Sequence, residues 1–196
     1  MEQYSDCGQD LFALDILQGK KNGTFLDLGC RCPIEGNNTY LFEKNYNFTG
    51  LSFDIDADEI LKWEQTDRNY SNAICCDLLN YDIENKLDEF YSSNVIDYFT
   101  FDLEPPLVTL EVLRKIHFEK YKFGVITFEH DFYRGFDTVK PSREIFIKNG
   151  YRKMSKTYME GITSTTIWFA EDWWIHPDVV SVPESLLDIE IEDLKF

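Results

Sequence analysis

Short apolar segments alternate with helical segments along the first two thirds of the chain, and this alternation constrains the fold more than any other feature. Five strands are predicted, at residues 24–28, 48–55, 73–76, 95–101 and 123–128. The predicted helices lie at residues 60–63, 83–91 and 107–116, and one more, capped near Ser5 or Asp6, covers residues 11–17. Strands that alternate with helices need crossover connections, which favour a mainly parallel sheet.

The last third of the sequence has a different pattern. A short helix is predicted to begin at Pro141 and to end near Asn149, and strands are predicted at residues 151–155 and 165–170. Two strands this close together in the sequence favour an antiparallel hairpin. We therefore expect the parallel part of the sheet to end in an antiparallel pair at one edge.

The net charge excludes two classes of partner. The 196 residues include 36 acidic and 19 basic side chains, which gives a formal charge of −17. A field of this sign repels nucleic acid and anionic membranes, so we expect neither as a partner. The length suits one domain, residues 1–180, followed by an acidic tail, residues 181–196, that is predicted to be partly disordered.

The cysteines indicate the compartment. There are five, without the paired Cys-x-x-Cys motifs of zinc sites: Cys7, Cys30, Cys32, Cys75 and Cys76. An odd number of cysteines, with no apolar signal segment at the N-terminus, favours reduced thiols and a cytoplasmic location. No apolar run approaches the roughly 20 residues that a membrane-spanning helix needs.

Each of the first five predicted strands delivers a carboxylate at its C-terminal end, and this repetition is the clearest indication of function. The acids are Asp27, Asp54, Asp77, Asp102 and Glu129. The carboxyl ends of parallel strands lie along one edge of a sheet, so we expect these acids to converge. Converging acids repel one another unless cations or hydrogen-bond donors lie between them. A ligand with ribose hydroxyls, an amino group and a sulfonium would supply both.

The turn after the first strand suits such a ligand. Gly29 lets the backbone turn sharply, and Asn37, Asn38 or Thr39 can cap the next helix. Asp27 would repel a pyrophosphate, and the Gly-x-Gly-x-x-Gly spacing of dinucleotide-binding oxidoreductases is missing. The sequence therefore disfavours a dinucleotide cofactor.

The order and spacing of these elements resemble a class I S-adenosylmethionine-dependent methyltransferase, and within that class the FkbM-type enzymes. The matching stretches are Tyr4-Ser5 with Gly8-Gln9-Asp10, Phe25-Leu26-Asp27-Leu28-Gly29, residues 50–56, and Ile96-Asp97-Tyr98 through Asp102-Leu103-Glu104. The resemblance implies an α/β fold with a Rossmann-like, seven-stranded, mostly parallel sheet, a C-terminal antiparallel hairpin and helices on both faces. Arg31 and Pro33 stand where the class usually has two further glycines.

The resemblance also implies which residues hold S-adenosylmethionine. The implied cofactor-binding residues are Tyr4, Ser5, Gln9, Asp27, Gly29, Asn38, Asp54, Ile55, Asp77, Leu78 and Asp102. Asp54 would accept hydrogen bonds from the ribose hydroxyls, with Ile55 against the adenine. Asp77 would face the adenine amino group. Asp27 and Gly29 would border the methionine portion, and the N-terminal members of the set would close over its carboxylate end.

Methyl transfer to a hydroxyl needs a base or a divalent metal, because a hydroxyl is too weakly acidic to ionise unaided. The candidate catalytic residues are Asp102, Glu104 and His130. A Mg²⁺ site is a further hypothesis, with Asp102, Glu129 and His130 as ligands. His130 has a second interpretation, as a histidine held in its loop by Glu129 or Asp131.

Two further groups of side chains have competing interpretations. Trp173 and Trp174 could form an aromatic wall for a sugar or flat substrate, or they could pack in the core. Arg134 and Arg143 could bind a substrate phosphate, or they could form surface ion pairs in an acidic protein. We expect core packing for at least one of the tryptophans and surface ion pairs for the arginines.

The leading hypothesis is an O-methyltransferase that uses S-adenosylmethionine to methylate a hydroxyl of a sugar, glycan or other small metabolite. One alternative is N-methylation of an amine or peptide. Another is a non-catalytic methyltransferase-like binding module, which Arg31 and Pro33 in the glycine loop motivate. The expected partner is a small molecule or a glycan, and the sequence does not predict the oligomeric state.

Overall fold

The computed structural model describes residues 2–162 and 170–188, and a seven-stranded sheet runs through them. The strands are β1 Thr24–Leu28, β2 Thr49–Asp54, β3 Ala73–Cys75, β4 Val95–Phe101, β5 Lys122–Glu129, β6 Arg152–Lys153 and β7 Glu171–Ile175. The helices are α1 Gln9–Ile16, α2 Tyr40–Tyr46, α3 Ala57–Lys62, α4 Ile83–Phe90, α5 Pro106–Leu113, α6 Val139–Lys148 and α7 Lys156–Ile162. None of the helices in these two ranges is both long enough and apolar enough to cross a bilayer.

The sheet has the strand order β3-β2-β1-β4-β5-β7-β6. The first five strands are parallel, and β7 is antiparallel to both β5 and β6. This arrangement confirms the predicted fold class, a mostly parallel Rossmann-like sheet with an antiparallel C-terminal pair. The strand order reverses between β1 and β4, and this reversal places the carboxyl end of β1 at the topological switch point.

Strand residues alternate between two apolar cores, one on each face of the sheet. Phe25 packs on one face with residues of α1, α2 and α7. Leu26 and Leu28 pack on the other face with residues of α4, α5 and α6. Because both faces are covered, the central strands are apolar at nearly every position, as parallel strands in α/β proteins usually are. The prediction of helices on both faces is confirmed.

Several helix boundaries differ from the predicted ones. α1 begins at Gln9 after Gly8, whose φ is 85°, rather than at a cap near Ser5 or Asp6. α3 begins three residues before the predicted start because the Asp56 side chain accepts hydrogen bonds from two backbone amides of its first turn. α6 begins at Val139 and carries Pro141 in its first turn, where a missing N–H leaves no helical hydrogen bond unmade.

The last strand in the described residues is β7, at residues 171–175. The predicted strand at residues 165–170 lies outside the described residues except for Ala170, which is in a turn. β7 follows immediately and pairs with β6, and α7 belongs to the connection between the two strands. Part of the predicted tail is ordered, since Leu187 is buried and forms an antiparallel bridge with Met154.

Candidate functional site

Gly29 lies at the switch point, directly after β1. Its φ is +92°, and a Cβ at this position would lie 1.8 Å from the carbonyl oxygen of Asp102. The amides of Gly29 and Cys30 both donate to the carbonyl oxygen of Phe53, at 2.8 and 3.1 Å. Only glycine can occupy a position with this φ and this close an approach. The end of β1 is therefore joined to the ends of β2 and β4.

Two adjoining cavities open at this edge of the sheet. The larger has a volume of about 780 Å³, and its lining includes the strand-end acids Asp54, Asp77, Asp102 and Glu129. The smaller has a volume of about 300 Å³, and Asp27 lies in its wall. Four residues line both cavities: Asp6, Gly29, Arg31 and Asp102. The prediction that the five strand-end acids converge is confirmed.

The acids after β2 and β3 are positioned by backbone amides. The two carboxylate oxygens of Asp54 accept from the amides of Arg31 and Asp56, at 2.8 and 2.9 Å. Asp77 accepts from the amide of Leu79 at 2.9 Å and from the side chain of Asn80 at 2.7 Å. An ionised carboxylate has about four acceptor sites, so each acid keeps capacity for a ligand.

Apolar side chains border the same part of the larger cavity. Ile55 follows β2 and lines the larger cavity. Its exposed fraction is 69%, which is high for an isoleucine. Leu78 lines the cavity from the β3 side and is buried. The two side chains give the cavity an apolar border next to the Asp54 and Asp77 carboxylates, as an aromatic ring with polar edges would need.

A buried arginine that the sequence analysis missed holds the loop after β1. The Arg68 guanidinium donates to the Pro33 carbonyl oxygen at 3.0 Å, to Asn37 Oδ1 at 2.7 Å and to Thr39 Oγ1 at 3.0 Å. It also pairs with Glu43 of α2 at 2.7 Å. Arg68 lies in a polar stretch without a motif, so no signal in the sequence could have identified it.

Arg68 is connected to Asp27 through Thr39 of the same loop, and its charge lowers the pKa of Asp27. Asp27 is buried and accepts from the Thr39 hydroxyl at 2.8 Å. Burial raises the pKa of Asp27 to about 7, although the nearby Arg68 charge lowers it. Asn37 Oδ1 accepts from the amides of Thr39 and Tyr40, both at 2.9 Å. The N-cap position of α2 is Thr39, whose side chain makes no capping hydrogen bond, so Asn37 supports the start of the helix from two residues before that position.

The acids after β4 and β5 form a pair. Burial raises the pKa of Glu129, and the adjoining Asp102 side chain raises it further. Burial also raises the pKa of Asp102, while the hydrogen bond with Glu129 lowers it. Two adjoining buried carboxyl groups with raised pKa values favour sharing one proton. Glu171 lies directly opposite Glu129 in the register of β5 and β7 and keeps the cluster acidic.

The N-terminal residues that the resemblance assigned to the cofactor are mostly committed to the fold. The Ser5 hydroxyl donates to Asp10 at 2.5 Å, and Gln9 donates to the buried Glu171 at 2.5 Å. Ser5 and Gln9 are both buried, and neither lines a cavity. The Tyr4 hydroxyl accepts from Lys44 at 2.6 Å. From this N-terminal segment, it is Asp6 that lines both cavities.

Asn38 and Glu104 lie at the cavities, as expected of site residues. Asn38 lines the smaller cavity and donates to Thr100 Oγ1 of β4 at 2.8 Å. Glu104 lines the larger cavity and pairs with Arg134 at 2.6 Å. Arg134 also reaches Asp131 at 3.0 Å, so it bridges the loops after β4 and β5.

His130 does not lie with the predicted catalytic residues. It is fully buried, lines neither cavity, and has Nε2 3.9 Å from a carboxylate oxygen of Asp172. Burial lowers its pKa, so it is neutral near pH 7. The structure thus does not bring His130 to Asp102 in a shared cavity. In residues 2–162 and 170–188, no group of three or more His, Cys, Asp or Glu side chains is arranged to hold a metal ion.

The remaining aromatic and basic candidates are structural. Trp173 and Trp174 are both buried in the core, so the aromatic wall is wrong for both. Arg143 is also buried and forms a two-bond ion pair with Asp172, at 2.6 and 2.8 Å, which corrects the expected surface pair. Arg134 is exposed and forms the surface ion pairs expected of it.

Solved structures share this fold. Fibrillarin from Aeropyrum pernix, with natively bound S-adenosyl-L-methionine, matches with a TM-score of 0.54 at 11% identity, over 86% of this chain and 76% of its own. The plantazolicin methyltransferase BpumL, in complex with SAH, matches with a TM-score of 0.54 at 12% identity, over 87% and 82%. The [4+2]-cyclase SpnF matches with a TM-score of 0.50 at 10% identity, over 86% and 79%.

These likenesses are structural only. Neither a protein-family model nor a curated protein sequence matches this chain. At 10 to 12% identity these likenesses establish the fold alone, which this chain shares with a methyltransferase, with a protein that holds S-adenosyl-L-methionine and with a cyclase. A fold hosts many activities, so the reaction has to be argued from the site.

Proposed function

We propose that this protein binds S-adenosylmethionine at the carboxyl edge of its sheet and transfers the methyl group to a hydroxyl of a small polar acceptor. The observation that carries the proposal is the contact at the switch point, where Gly29 has room for no side chain against Asp102 and a cavity lined by acids lies beside it. Such a turn lets a ligand approach the backbone closely. Two of the solved structures with this fold contain S-adenosyl-L-methionine or SAH.

The residues present suit this cofactor. Asp54 has acceptor capacity left for ribose hydroxyls, and Asp77 has it left for an adenine amino group. Ile55 offers an exposed apolar surface beside them for the adenine ring. The acids around Gly29 favour the positive charges of an ammonium and a sulfonium. A phosphate-bearing cofactor would be repelled by the same groups.

The chain's part in the reaction is to hold the acceptor in line and to take its proton. When bound, S-adenosylmethionine supplies an electrophilic methyl group on a positively charged sulfur. Asp102 is the proposed base because it lines both cavities and because its raised pKa makes it a stronger base than an ordinary aspartate. In this proposal Glu129, whose pKa the adjoining Asp102 raises further, retains the proton that the pair shares.

The acceptor class rests on the sequence and on charge. The FkbM-type resemblance favours a hydroxyl of a sugar or glycan. The acidic lining around Asp102 disfavours phosphorylated acceptors by repulsion. The same charge favours an amine, which makes N-methylation the second candidate function. An ammonium would have to lose a proton before it could attack, and Asp102 would again accept it.

Calorimetric titration with SAH and S-adenosylmethionine tests cofactor binding directly. We expect a dissociation constant in the micromolar range for both, and no binding at millimolar concentrations would overturn the proposal. Transfer is then tested with methyl-labelled S-adenosylmethionine and a panel of neutral sugars, glycans, other small hydroxyl compounds and amines. Mass spectrometry of the product distinguishes an O-methyl from an N-methyl group.

The two assays separate the alternatives. Binding with transfer to a hydroxyl supports the proposal, and transfer only to amines supports the second candidate. Binding without transfer to any member of the panel favours a non-catalytic module.

A further inference from the structure

Arg31 is the basic residue of the two cavities. Among the described residues that line them, ten are acidic: Asp6, Asp27, Glu35, Asp54, Asp56, Glu59, Asp77, Asp102, Glu104 and Glu129. Arg31 lines both cavities, and no lysine or second arginine from the described residues lines either. An anionic group that enters this space is therefore repelled by every charged neighbour except Arg31.

The backbone of Arg31 forms hydrogen bonds with neighbouring elements of the fold, and its side chain does not. Its amide donates to Asp54 at 2.8 Å, and its carbonyl oxygen accepts from the Trp63 indole at 3.3 Å. Its side chain is exposed, and its guanidinium makes no ion pair or hydrogen bond within the described residues, although its charge lowers the pKa of Asp102. In contrast, the guanidinium of Arg68 donates hydrogen bonds to four other residues.

The backbone angle at this position would suit a glycine better. The φ of Arg31 is 42°, in the left-handed region where a side chain costs conformational energy. A side chain that destabilises the loop slightly and forms no ion pair or hydrogen bond within the described residues is explained most simply by a ligand. Arginine is well suited to such a role, because its planar guanidinium binds a carboxylate through two parallel hydrogen bonds.

We propose that Arg31 binds the carboxylate of the amino-acid portion of S-adenosylmethionine, an inference that rests on the proposed function. The cofactor carries one anionic group, this carboxylate, together with an ammonium and a sulfonium. The ten acids favour the cationic groups, whereas Arg31 alone favours the carboxylate. Ser5 and Gln9, which the resemblance assigned to this end together with Tyr4, donate their hydrogen bonds to Asp10 and Glu171 instead.

The test compares two ligands that differ only in the carboxylate: SAH and its decarboxylated form, S-adenosyl-3-thiopropylamine. Calorimetry measures both with the wild-type protein, Arg31→Gly and Arg31→Gln. We expect both substitutions to weaken SAH binding by about 10- to 100-fold. The affinity for the decarboxylated ligand should stay within about threefold, since it has no carboxylate to lose. Arg114→Gln is the matched control, because Arg114 is exposed and pairs with Glu111 of α5.

Arg31→Gly guards against a folding artefact, because glycine relieves the backbone at this φ. Thermal unfolding should show Arg31→Gly to be at least as stable as the wild type. Equal weakening of both ligands, or no weakening of either, would overturn the role of Arg31 while leaving the proposed function intact. Failure of the wild-type protein to bind SAH at all would overturn the proposed function and this inference with it.

Discussion

The backbone of Asp102 leaves no space for a side chain at position 29. A Cβ on Gly29 would lie 1.8 Å from the Asp102 carbonyl oxygen and 2.6 Å from its carbonyl carbon. Both partners are main-chain atoms at the ends of adjacent strands, β1 and β4, so neither can move without shifting a strand. The contact joins the turn that would hold the cofactor to the residue that we propose as the base.

Gly29→Ala is therefore expected to damage both folding and binding. The overlap with the Asp102 backbone and the positive φ together predict a loss of about 2 to 5 kcal/mol in the free energy of unfolding. SAH binding should fall below detection in calorimetry. Gly19→Ala is the control, because Gly19 also has a positive φ, +67°, but no atom lies within 4 Å of the place that a Cβ would take. We expect a loss of about 1 kcal/mol there, with unchanged SAH affinity.

Asp77→Asn should change which nucleobase the cofactor site prefers. The carboxylate of Asp77 accepts hydrogen bonds, and an adenine amino group donates one, whereas an asparagine amide can also donate. We expect the affinity for SAH to fall about tenfold and the affinity for S-inosylhomocysteine, which has a carbonyl in place of the amino group, to rise. Asp82→Asn, at the N-cap of α4 outside both cavities, should change neither. An unchanged preference between SAH and S-inosylhomocysteine would mean that the adenine does not bind beside Asp77.

Arg68→Lys should show that a charge alone cannot replace the guanidinium. A lysine cannot reach Pro33, Asn37 and Glu43 together, since it lacks the planar set of donors. We expect a loss of about 2 to 4 kcal/mol in urea unfolding, because buried acceptors lose their partners. Arg114→Lys, at an exposed i,i+3 pair, should cost less than about 0.5 kcal/mol. Equal stability of the two variants would contradict this role for Arg68.

The sequence predicted the parts of this fold that depend on local patterns. Val95–Phe101 has the predicted boundaries because a mostly apolar segment ends at an acid, and α5 begins at Pro106, one residue before the predicted start, because a proline suits the first turn of a helix. The convergence of Asp54 and Asp77 followed from the parallel order of the strands. These features need only neighbouring residues and one topological rule.

The parts that were missed depend on contacts far apart in the sequence. Arg68 acquires its role only when the loop at residues 30–39 folds over it. His130 lies next to acids in the sequence, but its side chain is buried against Asp172 of β7. The aromatic pair Trp173 and Trp174 is buried because β7 is an internal strand between β5 and β6. Composition alone cannot show which strand is internal.

Asp27 should make stability depend on pH. Burial raises its pKa to about 7 in the folded protein, whereas an unfolded aspartate has its ordinary value near 4. Between these values the folded state holds a proton that the unfolded state has released, so the free energy of unfolding falls as the pH rises. From pH 5 to pH 7 this amounts to about 3 kcal/mol at most.

Asp27→Asn removes that contribution, because asparagine does not titrate. Urea unfolding at pH 5 and pH 8 should show a smaller loss of stability on raising the pH in the variant than in the wild type. Other titrating groups, such as Glu171 with a pKa raised to about 7, affect both proteins equally and cancel in the difference. The same pH dependence in both proteins would mean that Asp27 is ionised in the fold and that the Arg68 charge outweighs burial.

The carboxyl pair after β4 and β5 predicts opposite outcomes for two similar substitutions. Glu129→Gln keeps a neutral side chain that can donate to Asp102, as the protonated Glu129 does, so methyl transfer should stay within about fivefold of the wild type. Asp102→Asn removes the proposed base and should lower kcat by about 100-fold or more, with SAH affinity reduced much less. Transfer is measured on the acceptor that the panel identifies.

The pH dependence of the wild type gives a second measurement on the same pair. Its kcat/KM should rise with pH through the pKa of Asp102, which is raised above the usual aspartate range, and Asp102→Asn should abolish this rise. If Glu129→Gln is the more damaging change, the proton and the base are assigned to the wrong members of the pair.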